Sequence, residues 1–395
     1  MNGRLSLLIG SLVFVAGLTA CGGGGSTTGN ITPPTGSTFG DSRLQLKTQV
    51  ILPNLGAGST PAFSYDIGAV DPILHQYYLA DRTNKALDVI DTRTNALKVI
   101  PGPYAGVQSS NDISGPDGVA FIPGNPKVYV GDVNSVKLVD TSSGTVVTTI
   151  VTGTAGKRTD EGCYDKDDNL IMFANPADSP PYTSFINAST NTVIAKLQFT
   201  DSAGLEACIY DPGTKSFFIN NDGTTANPSG ELDVIPAASA VAGAPTIAHA
   251  YPEGNCAPTG IDLGPNKQLV IGCDPPAGSP QLTLIMNTSG AIVKTITQVG
   301  GSDEVAYDAF TNRYYTASRD WTANGISQTG SSTAVFTPVL GVIDASSNTW
   351  IANIPTGRGS HSVATDSNTG HVFVPVPSTA TANGGVNVYG LAGSP

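Results

Sequence analysis

Charge is scarce in this chain. Asp, Glu, Lys and Arg make up only 13% of its 395 residues, and runs of Leu, Ala, Lys and Glu are missing. No segment reads as an amphipathic helix. The familiar chemical signatures are absent too. There is no P-loop, no GxGxxG after a strand, and no GxSxG, HExxH, CxxC or CxxCH. Redox chemistry on a bound haem or quinone therefore lacks a ligation motif. Nineteen cations against 31 anions set a net charge of −12. With no basic patch to neutralise phosphates, nucleic acid is excluded as a partner. An acidic surface argues for solubility more than for a specific partner.

What the chain has in quantity is turn chemistry: 46 glycines and 28 prolines. Residues 66–100, DIGAVDPILHQYYLADRTNKALDVIDTRTNALKVI, and 117–150, DGVAFIPGNPKVYVGDVNSVKLVDTSSGTVVTTI, follow one pattern. A short apolar strand, a turn, a Tyr-containing strand ending near Asp, a third strand, a polar turn and a β-branched fourth strand succeed one another. The unit returns from EGCYDKDDNLIMFAN, EACIYDPGTKSFFINN, TGIDLGPNKQLVIGCD, DEVAYDAFTNRYYTASRD and HSVATDSNTGHVFVPV. Four short strands repeated every 40 to 50 residues are the signature of propeller blades. The seventh unit stops after its third strand, and RLQLKTQVIL at 43–52 has the length and alternation to supply the fourth. The expected fold of 43–395 is all-β. It is a seven-bladed β-propeller of four-stranded antiparallel blades, with the N-terminal strand closing the last blade against 386–391.

The first twenty residues read separately, as Arg4, an apolar run and small residues, the order of a secretory signal. The apolar run is too short to span a bilayer. LTAC at 18–21 resembles the bacterial lipobox, which implies cleavage before Cys21 and acylation of that residue. Several acyl chains anchor firmly. Gly22 in place of aspartate favours an outer-membrane address, facing periplasm or cell surface. Residues 21–42 are then a flexible Gly/Ser/Thr/Pro tether.

Aligned on the end of the first strand, the units match at Asp71, Ile122, Asp165, Asp211, Gly264, Asp308 and Asp366. Five positions earlier stand Asp66, Asp117, Asp160, Glu206, Thr259, Asp303 and His361, with Glu161 and Glu304 one position on. First strands line a propeller's axis, so these side chains are expected to ring one mouth of the channel. Unpaired carboxylates so close would repel by several kcal/mol per pair. A bound cation, protonation, or neighbouring arginines and water must relieve them. Carboxylates with a threonine hydroxyl suit Ca²⁺ or another hard divalent cation, and His361 would admit a softer one.

Connections from second to third strand emerge on the same face. They are short in the first two units and long in the other five: 175–182, 221–230, 274–280, 318–338 and 377–384. The longest carries Arg319, Asp320 and Trp321, candidates to hold a sugar, a peptide or an aromatic ligand, although a lone loop tryptophan also serves as a packing plug. Segment 220–231, NNDGTTANPSGE, superficially resembles a calcium loop without EF-hand spacing. His75, His249 and His371 fall in turns or outer segments and are expected to be solvated. Beyond Cys21 four cysteines remain. Cys163 and Cys208 lie on first strands of adjacent units, one residue out of register. Cys256 and Cys273 lie roughly cross-strand within one unit. Disulfides 163–208 and 256–273 are expected.

The motifs GPDGVAF, KVYVGD, VKLVDTSSGTVVTTI and LDVIDTRTNALKVI resemble YVTN/NHL-like propeller repeats. That superfamily also holds lactonase-type and gluconolactonase-type enzymes. These bind one axial divalent ion through carboxylates and asparagines, and the ion polarises a carbonyl and activates water. Carried over, the resemblance implies Asp160, Glu206 and Asp303 as metal ligands and His361 or Glu304 as general base. The ring here contains no asparagine, a departure from that pattern. Two functions follow. One is a monomeric, lipid-anchored binding or scaffold module for a protein, glycan or small molecule. The other is a divalent-metal-dependent lactone hydrolase.

Overall fold

The computed structural model describes residues 44–59 and 63–392. The expected signal at 1–20, the acylated Cys21 and the tether at 21–42 lie outside the described residues. Among the described residues the strands form seven four-stranded antiparallel sheets. The seven inner strands are Gly68–Asp71, Val119–Phe121, Gly162–Asp165, Leu205–Asp211, Pro258–Leu263, Val305–Asp308 and Ala364–Asp366, opening blades one to seven. Six blades are built from consecutive strands. The seventh is completed by Leu44–Ile51, which pairs with Gly385–Leu391 from Leu44 opposite Leu391 to Ile51 opposite Gly385, with one register shift between Leu46 and Thr48. The expected closure is present, and it gives the seventh blade the same four strands as the other six.

Local chemistry sets the tight hairpins. The Asp71 carboxylate accepts from the N–H groups of Ile73 and Leu74. Asp165, Asp211, Asp308 and Asp366 do the same for the residues after them. A carboxylate that ties its own following backbone starts a turn. The left-handed residue such a turn needs arrives as His75, Asn169, Lys215, Asn312 or Gly370, at φ from 51° to 69°. Aspartate at the end of the first strand is therefore a turn-former on the face away from the long loops.

The core is divided. Seven apolar clusters fill the seven clefts between neighbouring blades. Second strands are buried on both faces, as in Leu170–Asn175 and His371–Val376. This is why they read as continuous apolar runs, whereas the outer strand Thr145–Val151 alternates between exposed residues and half-buried or buried ones. His371 departs from expectation here. It sits in a second strand and is buried at 7% exposure, with Nδ1 3.4 Å from the Thr92 carbonyl oxygen. His75 is half-buried and His249 exposed. A five-residue helix, Ala237–Val241, contributes Ala237 and Ala240 to the cleft between blades three and four.

Both expected disulfides are present. Cys163–Cys208 joins the inner strands of blades three and four at a Cα separation of 5.8 Å. Cys256–Cys273 staples blade five at 4.7 Å. Both separations are in the normal range for the bond.

Candidate functional site: the acidic mouth

The ring positions are equivalent in the backbone. The amides of Asp66, Asp117, Asp160 and Asp303 each donate to a second-strand carbonyl, those of Ala80, Gly131, Ala174 and Ala317. In blades four and five the inner strand bulges at this point, between Leu205 and Cys208 and between Pro258 and Ile261. Glu206 and Thr259 lie within those irregular stretches. Thr259 donates its hydroxyl to the Ser302 carbonyl oxygen at 2.8 Å.

The ring divides into two sectors. In blades one to three, carboxylate oxygens of Asp66, Asp117 and Asp160 lie within 4.8 Å of one another. Arg82, only 2% exposed, joins two of them. Its Nη2 is 2.7 Å from Asp66 Oδ2 and also bonds Asp117 Oδ1, to which Nε donates at 3.1 Å. Arg158 Nη1 lies 2.7 Å from Asp160 Oδ2 and 3.8 Å from Asp66 Oδ2. His361 stacks on Tyr65 with ring centroids 4.5 Å apart. Its Nδ1 is 2.8 Å from the Gly359 carbonyl oxygen and its Nε2 3.7 Å from Asp66 Oδ1.

Three carboxyls share two guanidiniums, so one negative charge is left over. Burial pushes the Asp66 carboxyl up, but Arg82, His361 and Arg158 outweigh it and hold the group below the usual carboxylate range. The excess falls on its neighbours. Burial, then the Asp66 charge working against Arg158, brings Asp160 up to about 7. Asp117 is raised well above its ordinary value, by burial first.

In the other sector compensation is thinner. Arg319 bonds Asp303 Oδ2 through Nη1 and Asp320 Oδ2 through Nε, the latter at 3.2 Å. Glu206 has Asp222, Asp303 and Asp160 as its charged neighbours of like sign, and after burial these push it well above the ordinary glutamate value. Burial brings Asp222 up to about 6. Glu161 and Glu304 share a hydrogen bond across the axis. Burial, then the Asp303 charge, lifts Glu304 to about 8, and Glu161 rises with it. A carboxyl pair that shares a proton has this behaviour.

A divalent ion does not fit the trio in blades one to three. The position it would take between Asp66 and Asp117 is filled by Arg82, and Asp160 is turned to Arg158. The set implied by family resemblance, Asp160, Glu206 and Asp303, is not gathered either. Among the described residues the three-acid group with mutually close oxygens is Asp66, Asp117 and Asp160, because Asp303 is drawn to Arg319 on the far side of the mouth. The general-base candidates are also engaged, His361 with Gly359 and Asp66, and Glu304 with Glu161. In the long loops, Arg319 and Asp320 brace the rim, and Trp321 packs into the cleft between blades five and six. Segment 220–231 folds around its own Glu231, which accepts from Thr224 Oγ1 and Asn227 Nδ2.

Arg82, Arg158, Asp222 and Tyr65 were not singled out from sequence. A signal existed for two of them. Arg82, Asp222, Asp274 and Arg319 each directly follow the last residue of a second strand, Asp81, Asn221, Cys273 and Ser318. Aligning second-strand ends gives a second ring around the first. Arg158 lies in the connection into blade three and belongs to no such register.

No protein-family profile and no curated protein sequence matches this chain. Several solved structures share its fold. A chain of Kuenenia stuttgartiensis hydrazine synthase aligns with TM-score 0.64 at 14% identity, over 86% of this chain and 97% of that one. A chain of a mitotic checkpoint complex aligns with TM-score 0.61 at 12% identity, over 96% and 99%. U3-55K aligns with TM-score 0.60 at 12% identity, over 89% and 100%. At these identities the likeness is one of fold, and one propeller fold carries many functions.

Proposed function

We propose that this protein is a cell-envelope binding or scaffold module, anchored in the outer membrane through acylated Cys21 and displayed on the 21–42 tether. Its loop-rich, carboxyl-lined mouth holds a protein, glycan or small-molecule partner that presents cationic or hydrogen-bond-donating groups. One observation carries this reading: the acids of the rim outnumber the three arginines Arg82, Arg158 and Arg319, and those arginines are spent on bracing the rim. The side chains best suited to chemistry are tied to structural partners, and a rigid scaffold with long loops on one face is the usual platform for binding. The YVTN/NHL-like resemblance fits a display role equally well. The lactone-hydrolase reading needs an axial ion, and Arg82 and Arg158 stand where the acid trio would hold it.

Photo-crosslinking in intact envelopes tests the mouth. A photoreactive residue at Asn227, Asn324 or Thr381 is expected to give one discrete adduct that weakens as salt rises. The same residue on the outer strand at Val147 is expected to give none. Equal adducts at all positions, or none at any, would overturn the reading. Mass spectrometry of the N-terminal peptide, together with release of the Cys21→Ser chain from membranes, tests the anchor independently.

A further inference from the structure

The axis has a second end. Behind the acidic rim a cavity of about 410 Å³ follows the inner strands. It extends from Gly68, Gly162 and Glu304 near their starts to Pro72, Pro123 and Ser367 beyond their ends, on the side away from the long loops. Its volume is that of a small-ligand site. Phe121, Tyr164, Ile209 and Tyr307 wall it. The two tyrosine rings are held, since Tyr164 and Tyr307 donate their hydroxyls to Asn169 and Asn312, each at 2.9 Å. Asp262 also borders the cavity, and both of its oxygens accept backbone N–H groups, from Leu263 and Tyr307, each at 2.7 Å.

Glu304 is different. It is 8% exposed, it reaches the cavity, and its Oε1 has no hydrogen-bond partner. Its acidic neighbours Asp66, Asp160 and Asp303 have guanidinium partners, whereas Glu304 shares a proton with Glu161, which a bound ammonium would displace to solvent. A buried oxygen without a partner is costly, and a ligand that donates to it recovers that cost. An anion would meet Glu304 and Asp262 together. A neutral apolar guest would leave Oε1 as it is. A cation with an apolar body satisfies both the carboxyl and the aromatic wall, where ring faces attract positive charge.

We propose that this axial cavity binds small organic monocations of the alkylamine or arylalkylamine class, with the ammonium donating to Glu304 and the apolar body lying against Phe121, Tyr164 and Tyr307. The cavity meets the mouth at Glu304, and the proposal does not depend on the partner-binding reading.

Isothermal titration of the chain with n-hexylamine and with n-hexanol tests it. The amine is expected to bind at least tenfold more tightly than the alcohol. Glu304→Gln is expected to remove that advantage while leaving hexanol binding unchanged. Ile209→Trp, which fills the cavity from its wall, is expected to weaken both ligands at least tenfold. Glu206→Gln, on the mouth side, is expected to change neither. Circular dichroism checks that each variant is folded. Equal affinity of amine and alcohol, absence of binding by either, or loss of amine binding in Glu206→Gln but not in Ile209→Trp would overturn the proposal. The last outcome would place the amine in the mouth.

Discussion

The two sectors of the mouth use one backbone position in opposite ways. In blades one to three, Asp66, Asp117 and Asp160 close on the buried Arg82 and the half-buried Arg158 and form an ionic knot. In blades four to six, the half-buried Arg319 pairs with Asp303 and Asp320 and leaves Glu206 and Asp222 without an ion pair, while Glu304 shares a proton with Glu161 of blade three. Repeating an acid seven-fold does not repeat its charge state. That state is decided by which cation the loops and connections bring within reach, and a buried carboxyl left without one takes up a proton instead. The first sector ties neighbouring blades through ion pairs, and the second leaves Glu206 among like charges.

Removing the knot is the largest way to break this comparison. Arg82→Met leaves two buried carboxylates facing each other, and urea unfolding is expected to show a loss of about 3–5 kcal/mol. Arg319→Met is expected to lose about 0.5–1 kcal/mol, because its side chain is 36% exposed and its ion pair is screened. Equal losses would erase the distinction between sectors.

The seam between them carries Cys163–Cys208, at a sequence separation of 45. Replacing both cysteines with serine is expected to cost about 4 kcal/mol by loop entropy, against about 3 kcal/mol for the 17-residue separation of Cys256–Cys273. Thermal unfolding of the two double variants ranks them. If the Cys256–Cys273 variant lost more, the seam would have no special mechanical part.

Acidity separates the sectors more finely. Glu304 titrates in the folded protein near 8, above the ordinary glutamate value near 4.3. The stability it contributes is therefore complete below about pH 4 and is lost as pH rises from about 4 through about 8. Asp66 is lowered, so its contribution is present above its unfolded value near 3.9 and is lost as pH falls below it. Midpoints of urea unfolding are expected to be higher at pH 6 than at pH 8.5, and Glu304→Gln is expected to flatten that difference. A midpoint that rises from pH 6 to 8.5 would contradict the shared-proton pair. The smallest effect concerns metal. With Arg82 and Arg158 seated among the acids, EDTA or added Ca²⁺ is expected to move the melting temperature by under about 1 °C, since no binding term enters. A stabilisation of several degrees would reopen the hydrolase reading.

Legibility from sequence followed the range of the interactions. The seven-fold repeat, the inner strands, the closing strand and the five long loops could all be read, because period, β-branched runs and Asp-led turns are local signals. The two disulfides were also readable once the register of the blades was known. The ring of acids was readable as positions, since the alignment gives the mouth its residues. Their partners were not. Arg82 is sixteen residues from Asp66 and thirty-five from Asp117, and only the curvature of adjacent blades brings the three together. Trp321 turns into a cleft and His371 into a strand because of what neighbouring blades leave unfilled. Sequence alone determined which backbone positions face the axis, because hydrogen-bonding pattern and turn chemistry act over a few residues. Tertiary structure alone decided which of those acids are salt-bridged, which share a proton, and which oxygen remains free above the axial cavity, because electrostatic energy depends on distance and burial across blades.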